Sequence, residues 1–248
     1  MNYEPTIDAS GIEPSDVNLE ELEDRANRVA EERARHDCDP IVVEFAGSPK
    51  SGKSTSIDII SHFFRRMHLK VRAPTEGASK RTPYHLRDNL VAFNCYTLNY
   101  ATSELLDAYY NVERSDLVIL DRGPFDSLGW LKLLHGQGTL EEEDLETLKA
   151  FALFPLWAKL ISRLYLFSCE PQTSMDREND SKLTRRQGRA MNPQMLAELR
   201  ERYTELQDDL KEYPVTTIDT TSENVSPLGT AFMIAQDVLD LFEEQSSG

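Results

Sequence analysis

The chain has 248 residues, 40% of them apolar, with 43 acidic against 27 basic residues and a formal charge of −16. That length suits one large α/β domain, or one domain with an extension. The longest apolar runs fall short of a membrane span, and so acidic a chain lacks the basic face of a general nucleic-acid binder, which disfavours long nucleic acid as a partner.

Three widely spaced cysteines, Cys38, Cys95 and Cys169, form neither a disulfide frame nor a zinc pattern and fit a reducing, cytoplasmic setting. The five histidines form no metal-binding pair or Cys/His cluster.

Residues 1–39 hold twelve acids against four bases, about half the net charge. The segment reads as an acidic N-terminal extension, disordered from Asn2 to Asp16 and helical from Val17 to His36. Its apolar stripe (Leu19, Leu22, Ala26, Val29, Ala30) is thin. A helix laid along the domain body fits this stripe, as does an arm for a protein partner or for homodimer formation.

From Pro40 to about 243, strands and helices alternate, the mark of a parallel sheet with helices on both faces. Ile41–Ala46 is a buried-type strand. It runs into Gly47-Ser48-Pro49-Lys50-Ser51-Gly52-Lys53-Ser54-Thr55, which satisfies the phosphate-loop spacing G-x-x-x-x-G-K-[ST]. Gly47 and Gly52 permit backbone angles that turn successive N–H groups onto an anion. The helix opening near Lys53 adds its positive end. Lys53 can reach the β- and γ-phosphates of ATP, and Ser54 can hold Mg²⁺. A net charge of −16 does not forbid this. Long-range repulsion is screened beyond roughly 8 Å, whereas a local cation at about 4 Å is worth roughly 1–4 kcal/mol.

A second strand, Leu69–Ala73, ends at Pro74, and a loop with Glu76, Lys80 and Arg81 follows. Pro83 starts a long helix reaching about Asn111. On it Phe93, Tyr96 and Tyr100 fall at helical spacing, a face that can stack on a base and that also describes an ordinary core stripe. Glu104 and Asp107 suit an uncharged, hydroxyl-bearing acceptor, and Arg72, Lys80, Arg81 and Arg87 suit an acceptor phosphate. These residues leave the acceptor open: another hydroxyl, on a nucleic-acid end or a small metabolite, fits them too, as does a nucleotide-responsive interaction protein with little catalysis.

The strand Leu117–Asp121 ends in Asp121-Arg122-Gly123, at the sheet edge where open α/β folds bind ligands. Asp121 there can hold the Mg²⁺ hydration shell or act as a base, and Arg122 can clamp a phosphoryl group. An Asp capping the next helix is the bland alternative. A helix over Phe125–Leu134 follows, then Thr139 with Glu142 reads as a capping box for another. Pro155 breaks that helix, and Leu164–Ser168 is the fourth strand.

Between Arg177 and Ala190 there are five bases against two acids. Arg177, Lys182, Arg185, Arg186 and Arg189 read as a flap, spanning about 169–192, that brings guanidinium groups onto a transferring phosphate. Helix Pro193–Glu212, strand Pro214–Ile218 and helix Pro227–Phe242 close the fold, with 244–248 as a disordered tail.

The phosphate loop, Asp121-Arg122, the arginine-rich flap and a following helix with Arg202 and Tyr203 together resemble the thymidylate kinase-like and deoxynucleoside kinase-like P-loop nucleotide kinases. The resemblance covers about Pro40 to Phe242. It implies a five-stranded parallel sheet, Mg²⁺ and ATP as cofactors, and a nucleoside or nucleoside monophosphate acceptor. By the same resemblance Lys53 and Ser54 hold ATP–Mg²⁺, and Asp121 and Arg122 stand at the reacting centre. Arg177, Arg185, Arg186 and Arg189 become LID arginines. Lys50 takes a place where some thymidylate kinases aim an arginine at the transferred phosphate. Asp219-Thr220-Thr221 matches the loop at the adenine end. Three departures bear on the acceptor. Arg72-Ala73-Pro74 replaces the usual Arg-Glu-Pro and offers Glu76 instead, Gly123 stands where Tyr or His is usual, and no Arg or Lys lies between Arg87 and Arg114.

Overall fold

The computed structural model describes residues 6–7, 18–74, 81–181, 190–222 and 225–246. Its strands are β1 (Thr6–Ile7), β2 (Ile41–Gly47), β3 (Val71–Arg72), β4 (Leu117–Asp121), β5 (Arg163–Ser168) and β6 (Val215–Asp219). They form one sheet in the order β1-β6-β5-β2-β4-β3, with every pair parallel. The chain leaves β2 for β3 and β4 on one side, then crosses to β5 and β6 on the other. β2 is therefore the strand at which the winding reverses, and its carboxyl end is where such sheets open a crevice.

The helices are α1 (Leu19–Arg35), α2 (Lys53–Arg66), α3 (Leu90–Tyr110), α4 (Pro124–Gly136), α5 (Glu142–Ala152), α6 (Pro155–Ala158), α7 (Pro171–Ser181), α8 (Pro193–Asp209) and α9 (Pro227–Ser246). Alternation along each strand separates two cores. Val42 and Ala46 of β2 and Val118 and Leu120 of β4 pack beneath α3, α4, α5 and α8. Ile41, Val43, Phe45, Leu117 and Ile119 pack beneath α1, α2 and α9. Glu44 shares the parity of Val42 and Ala46, so its carboxyl group enters an apolar layer and is fully buried. Among the described residues, no helix is long and apolar enough to cross a membrane.

Several expected boundaries move. The helix expected from Pro83 is a short 3₁₀ turn at Tyr84–Leu86 followed by α3, because Asn89 caps α3 by accepting from the Ala92 N–H at 3.0 Å. Thr139 and Glu142 do not form a capping box. Glu141 is the N-cap and makes no side-chain bond, and Glu142 instead pairs with His135 at 2.9 Å. Three acids in the first turn of α5 supply the charge that favours a helix start. The expected disordered tail is corrected at its beginning, since residues 244–246 continue α9. The expected disorder of Asn2–Asp16 is corrected at Thr6–Ile7, which pair with Thr217 and Ile218.

α1 buries Leu22, Ala26 and Val29 in the same core as α9. Arg25 forks onto Asp240 at 2.6 Å and Glu243 at 2.9 Å, and Arg33 lies over the Phe242 ring at 5.0 Å.

Candidate active site

The phosphate loop leaves β2 at Gly47, whose φ is 123°. A Cβ there would overlap the carbonyl of Phe167 on β5, so glycine is required by close approach as well as by backbone angle. Gly52 adopts φ 97° as the N-cap of α2. That helix has no side-chain cap and no acid in its first turn, which leaves its positive end for an anion. The Ser48 hydroxyl oxygen is buried without a hydrogen-bond partner among the described residues, a second sign that the loop fits an external oxyanion.

Lys53 is buried within this ring. Its ammonium donates to the carbonyls of Gly47 (2.9 Å) and Ser48 (2.6 Å) and to Ser51 Oγ (3.2 Å). Burial, with the nearby Arg122 charge, pushes its pKa down to about 7, against the opposing pull of Asp126 and Asp121. Ser54 and Thr55 are exposed on the first turn of α2.

Asp121 ends β4 in register with Phe45, two residues before Gly47, which sets it beside the loop. Arg122 has φ 66°, a left-handed angle uncommon for a residue with a Cβ, and its N–H donates to Phe45 O at 3.0 Å. Its guanidinium donates to Asp126 Oδ2 at 3.0 Å. Lys50 also takes a left-handed angle, φ 60°, and pairs with Glu178 of α7 at 3.0 Å.

A cavity of about 710 Å³ opens on Asp121 and Arg122. Pro49 borders it on the loop side, and α3, α4 and the start of α8 wall the rest. Phe93 and Tyr100 line it with Thr97 between them, beside the buried Asn94 and Ala101, while Leu98 and Leu105 of α3 turn into the core. The aromatic face is therefore cavity wall at two of its three positions. Tyr96 is not among the lining residues, and its hydroxyl donates to Arg81 O at 3.4 Å. Arg87 reaches the cavity and also donates to Thr82 O at 3.2 Å. Arg72 does not line it, being paired with Asp107 and, at 3.9 Å, with Glu104.

Arg177 makes a clasp. It donates to Lys50 O (3.1 Å), Thr220 Oγ1 (3.1 Å) and Thr220 O (2.7 Å), and Thr220 Oγ1 donates to Ser51 O at 2.9 Å. The loop after β6 is thereby tied to the phosphate loop through α7. Glu76, Lys182, Arg185, Arg186 and Arg189 lie outside the described residues.

Two site residues escaped the sequence reading. Glu44 accepts from the N–H groups of Phe125 (3.3 Å) and Asp126 (2.7 Å), and burial raises its pKa to about 8. Asp126 accepts from the Gly47 N–H (2.9 Å) and the Tyr203 hydroxyl (2.7 Å). The available signals were an acid inside an otherwise apolar strand and an Asp four residues beyond Arg122.

No family model matches the sequence, and no curated protein matches it. Solved structures do. A deoxyadenosine kinase from M. mycoides with bound dATP shares 18% identity at a TM-score of 0.56, covering 81% of this chain and 100% of that one. The same enzyme with bound dCTP gives 16% and 0.56, and with dCMP and a flexible dCDP 16% and 0.57, each covering 81% of this chain and 99% of that one. At such identity the likeness speaks for architecture: the chain has the P-loop kinase fold that these deoxyadenosine kinase structures share.

Proposed function

We propose that the protein is a phosphotransferase that moves the γ-phosphate of ATP to the hydroxyl of a nucleoside. The observation that carries this reading is the cavity of about 710 Å³ opening on Asp121 and Arg122 beside the phosphate loop. Its walls combine apolar and aromatic surface with a few polar groups, as sites for base-bearing ligands do. Among the described lining residues the acids Asp88, Glu104, Asp121 and Asp126 outnumber the bases Arg87 and Arg122. That balance favours an uncharged acceptor over a nucleoside monophosphate. The solved structures with bound dATP, dCTP and dCMP support a nucleotide-sized ligand in this fold.

The loop amides and Lys53 hold the ATP phosphates, and Asp121 takes the proton of the acceptor hydroxyl as its oxygen bonds to the γ-phosphorus. The bond from the γ-phosphorus to the β–γ bridging oxygen breaks, releasing ADP. Arg122 stabilises the transferring group, with Arg185, Arg186 and Arg189 of the flap as further donors. Mg²⁺ would be held by Ser54 and the phosphates themselves, with Asp121 reaching it through its hydration shell and so keeping its basicity, and it would neutralise developing charge. Glu76 joins Phe93, Tyr100 and Arg87 toward the acceptor.

The test is ADP release from Mg-ATP across a panel of nucleosides, nucleoside monophosphates and short oligonucleotides, with Lys53→Ala as control. A nucleoside should stimulate turnover far above background, and Lys53→Ala should remove it. Stimulation by monophosphates alone, an active Lys53→Ala, or ATP binding that no acceptor converts to turnover would each defeat the proposal.

A further inference from the structure

Asp126 is buried at a junction of three elements, at the edge of the acceptor cavity, and takes no proton or phosphoryl group in the chemistry above. Its Oδ1 accepts from the N–H of Gly47, where β2 becomes the phosphate loop, and from the hydroxyl of Tyr203 on α8. Its Oδ2 accepts from Arg122, just beyond β4. The carboxylate is itself set from below, because Glu44 accepts from the first amides of α4, including that of Asp126. Gly123, the N-cap of that helix, supplies no side-chain cap, so a strand residue does the work of one.

From this geometry we propose that Asp126 is a positioning residue that fixes the phosphate loop relative to the Arg122 guanidinium, with Glu44 holding Asp126 in place. The inference rests on the phosphotransferase reading wherever kcat is the readout. A carboxylate suits the task because one rigid group joins both parts, with an oxygen for each and a charge-assisted bond to the arginine. Arg122 also holds an uncommon backbone angle, so its side chain needs a tether to stay aimed.

The variants separate the two arms. Asp126→Asn keeps an oxygen for the Gly47 N–H and Tyr203 but turns an NH₂ toward Arg122. Asp126→Ala removes both. Tyr203→Phe removes only the bond to α8. Melting curves, ATP Kd by direct titration, and kcat with KM for both substrates are measured on each. Asp126→Asn should lower kcat by about 30-fold or more, as expected when a clamp loses its aim, with ATP Kd within about threefold. Asp126→Ala should add a weakening of ATP binding of about tenfold, since the Gly47 amide is then unpaired. Tyr203→Phe should change neither by more than about threefold, because only a structural bond is lost.

A merely structural role would not survive a cycle with Arg122→Ala. If Asp126 acts through the arginine, Asp126→Asn should have little further effect on kcat in that background. Additive losses, a wild-type kcat in Asp126→Asn, or a Tyr203→Phe that reproduces the Asp126→Asn loss would each overturn the proposal. The ATP titration needs no turnover. An inactive wild type would therefore sink the phosphotransferase reading alone, and the positioning claim would then stand or fall on whether Asp126→Ala weakens ATP binding.

Discussion

The Glu44 carboxyl group occupies the space that a side chain on Gly123 would need. Gly123 has an ordinary extended backbone, φ −92°, so its lack of a side chain answers a neighbour and not a strained angle. This accounts for glycine at position 123: the strand beneath places a buried acid where a Cβ would stand. Glu44 cannot swing away without releasing two amides. Gly123→Ala should therefore destabilise the fold by about 1–3 kcal/mol, the usual range for overpacking. In the Glu44→Ala background the same change should cost much less, and a denaturant double-mutant cycle would measure that coupling.

Glu44 should also make stability depend on pH. Its pKa rises from an ordinary 4.5 to about 8 because burial disfavours the charged form. Between those values the folded chain keeps a proton that the unfolded chain releases. The contribution is full below pH 4.5 and is lost as pH rises through about 8. Glu44→Gln carries no such proton, so the wild-type melting temperature should fall relative to this variant from pH 5 to pH 9. Parallel melting curves across that range would contradict the assignment.

Lys53 should report nucleotide binding as a proton. With a pKa of about 7 it is mostly neutral at pH 8, and a polyphosphate on the loop favours its charged form. Calorimetric titration with ATP at pH 8 in buffers of different ionisation enthalpy should show uptake of about one proton. The uptake should fade below pH 6, where the amine is already charged. Lys53→Arg, permanently charged, should show none.

The cavity wall predicts which aromatic residues matter to the acceptor. Phe93→Ala and Tyr100→Ala should each raise the acceptor KM by about tenfold or more, given roughly 1–3 kcal/mol for an aromatic on a base. The KM for ATP should hold. Tyr96→Ala should leave both constants near wild type, because its ring is outside the lining. Steady-state kinetics on the three variants would expose an error if Tyr96→Ala had the largest effect.

Features readable in the sequence were those coded by short spacing. The phosphate loop is eight adjacent residues, and its strand and helix announce themselves by periodicity. Asp121-Arg122 lay at the end of an unmistakable buried strand. What remained hidden depends on distant partners. Asp126 meets Gly47 and Tyr203, 79 and 77 residues away in the chain. Arg72 meets Glu104 and Asp107, 32 and 35 residues further along the chain, a pairing that no local spacing announces. Arg177 likewise turned out to bind backbone carbonyls. Phe93 and Tyr100 could not be told from core residues, because the same helical spacing serves a cavity wall and a packed face.

The acidic leader, with its four arginines, looks expendable on charge alone. Yet α1 seats Leu22, Ala26 and Val29 against the face of α9, and Arg25 and Arg33 fasten it there. A chain trimmed to begin at Pro40 would present that bare hydrophobic seam to its neighbours. It should come out of the cell as insoluble protein, and α9, left without its cover, would be the surface through which it aggregates.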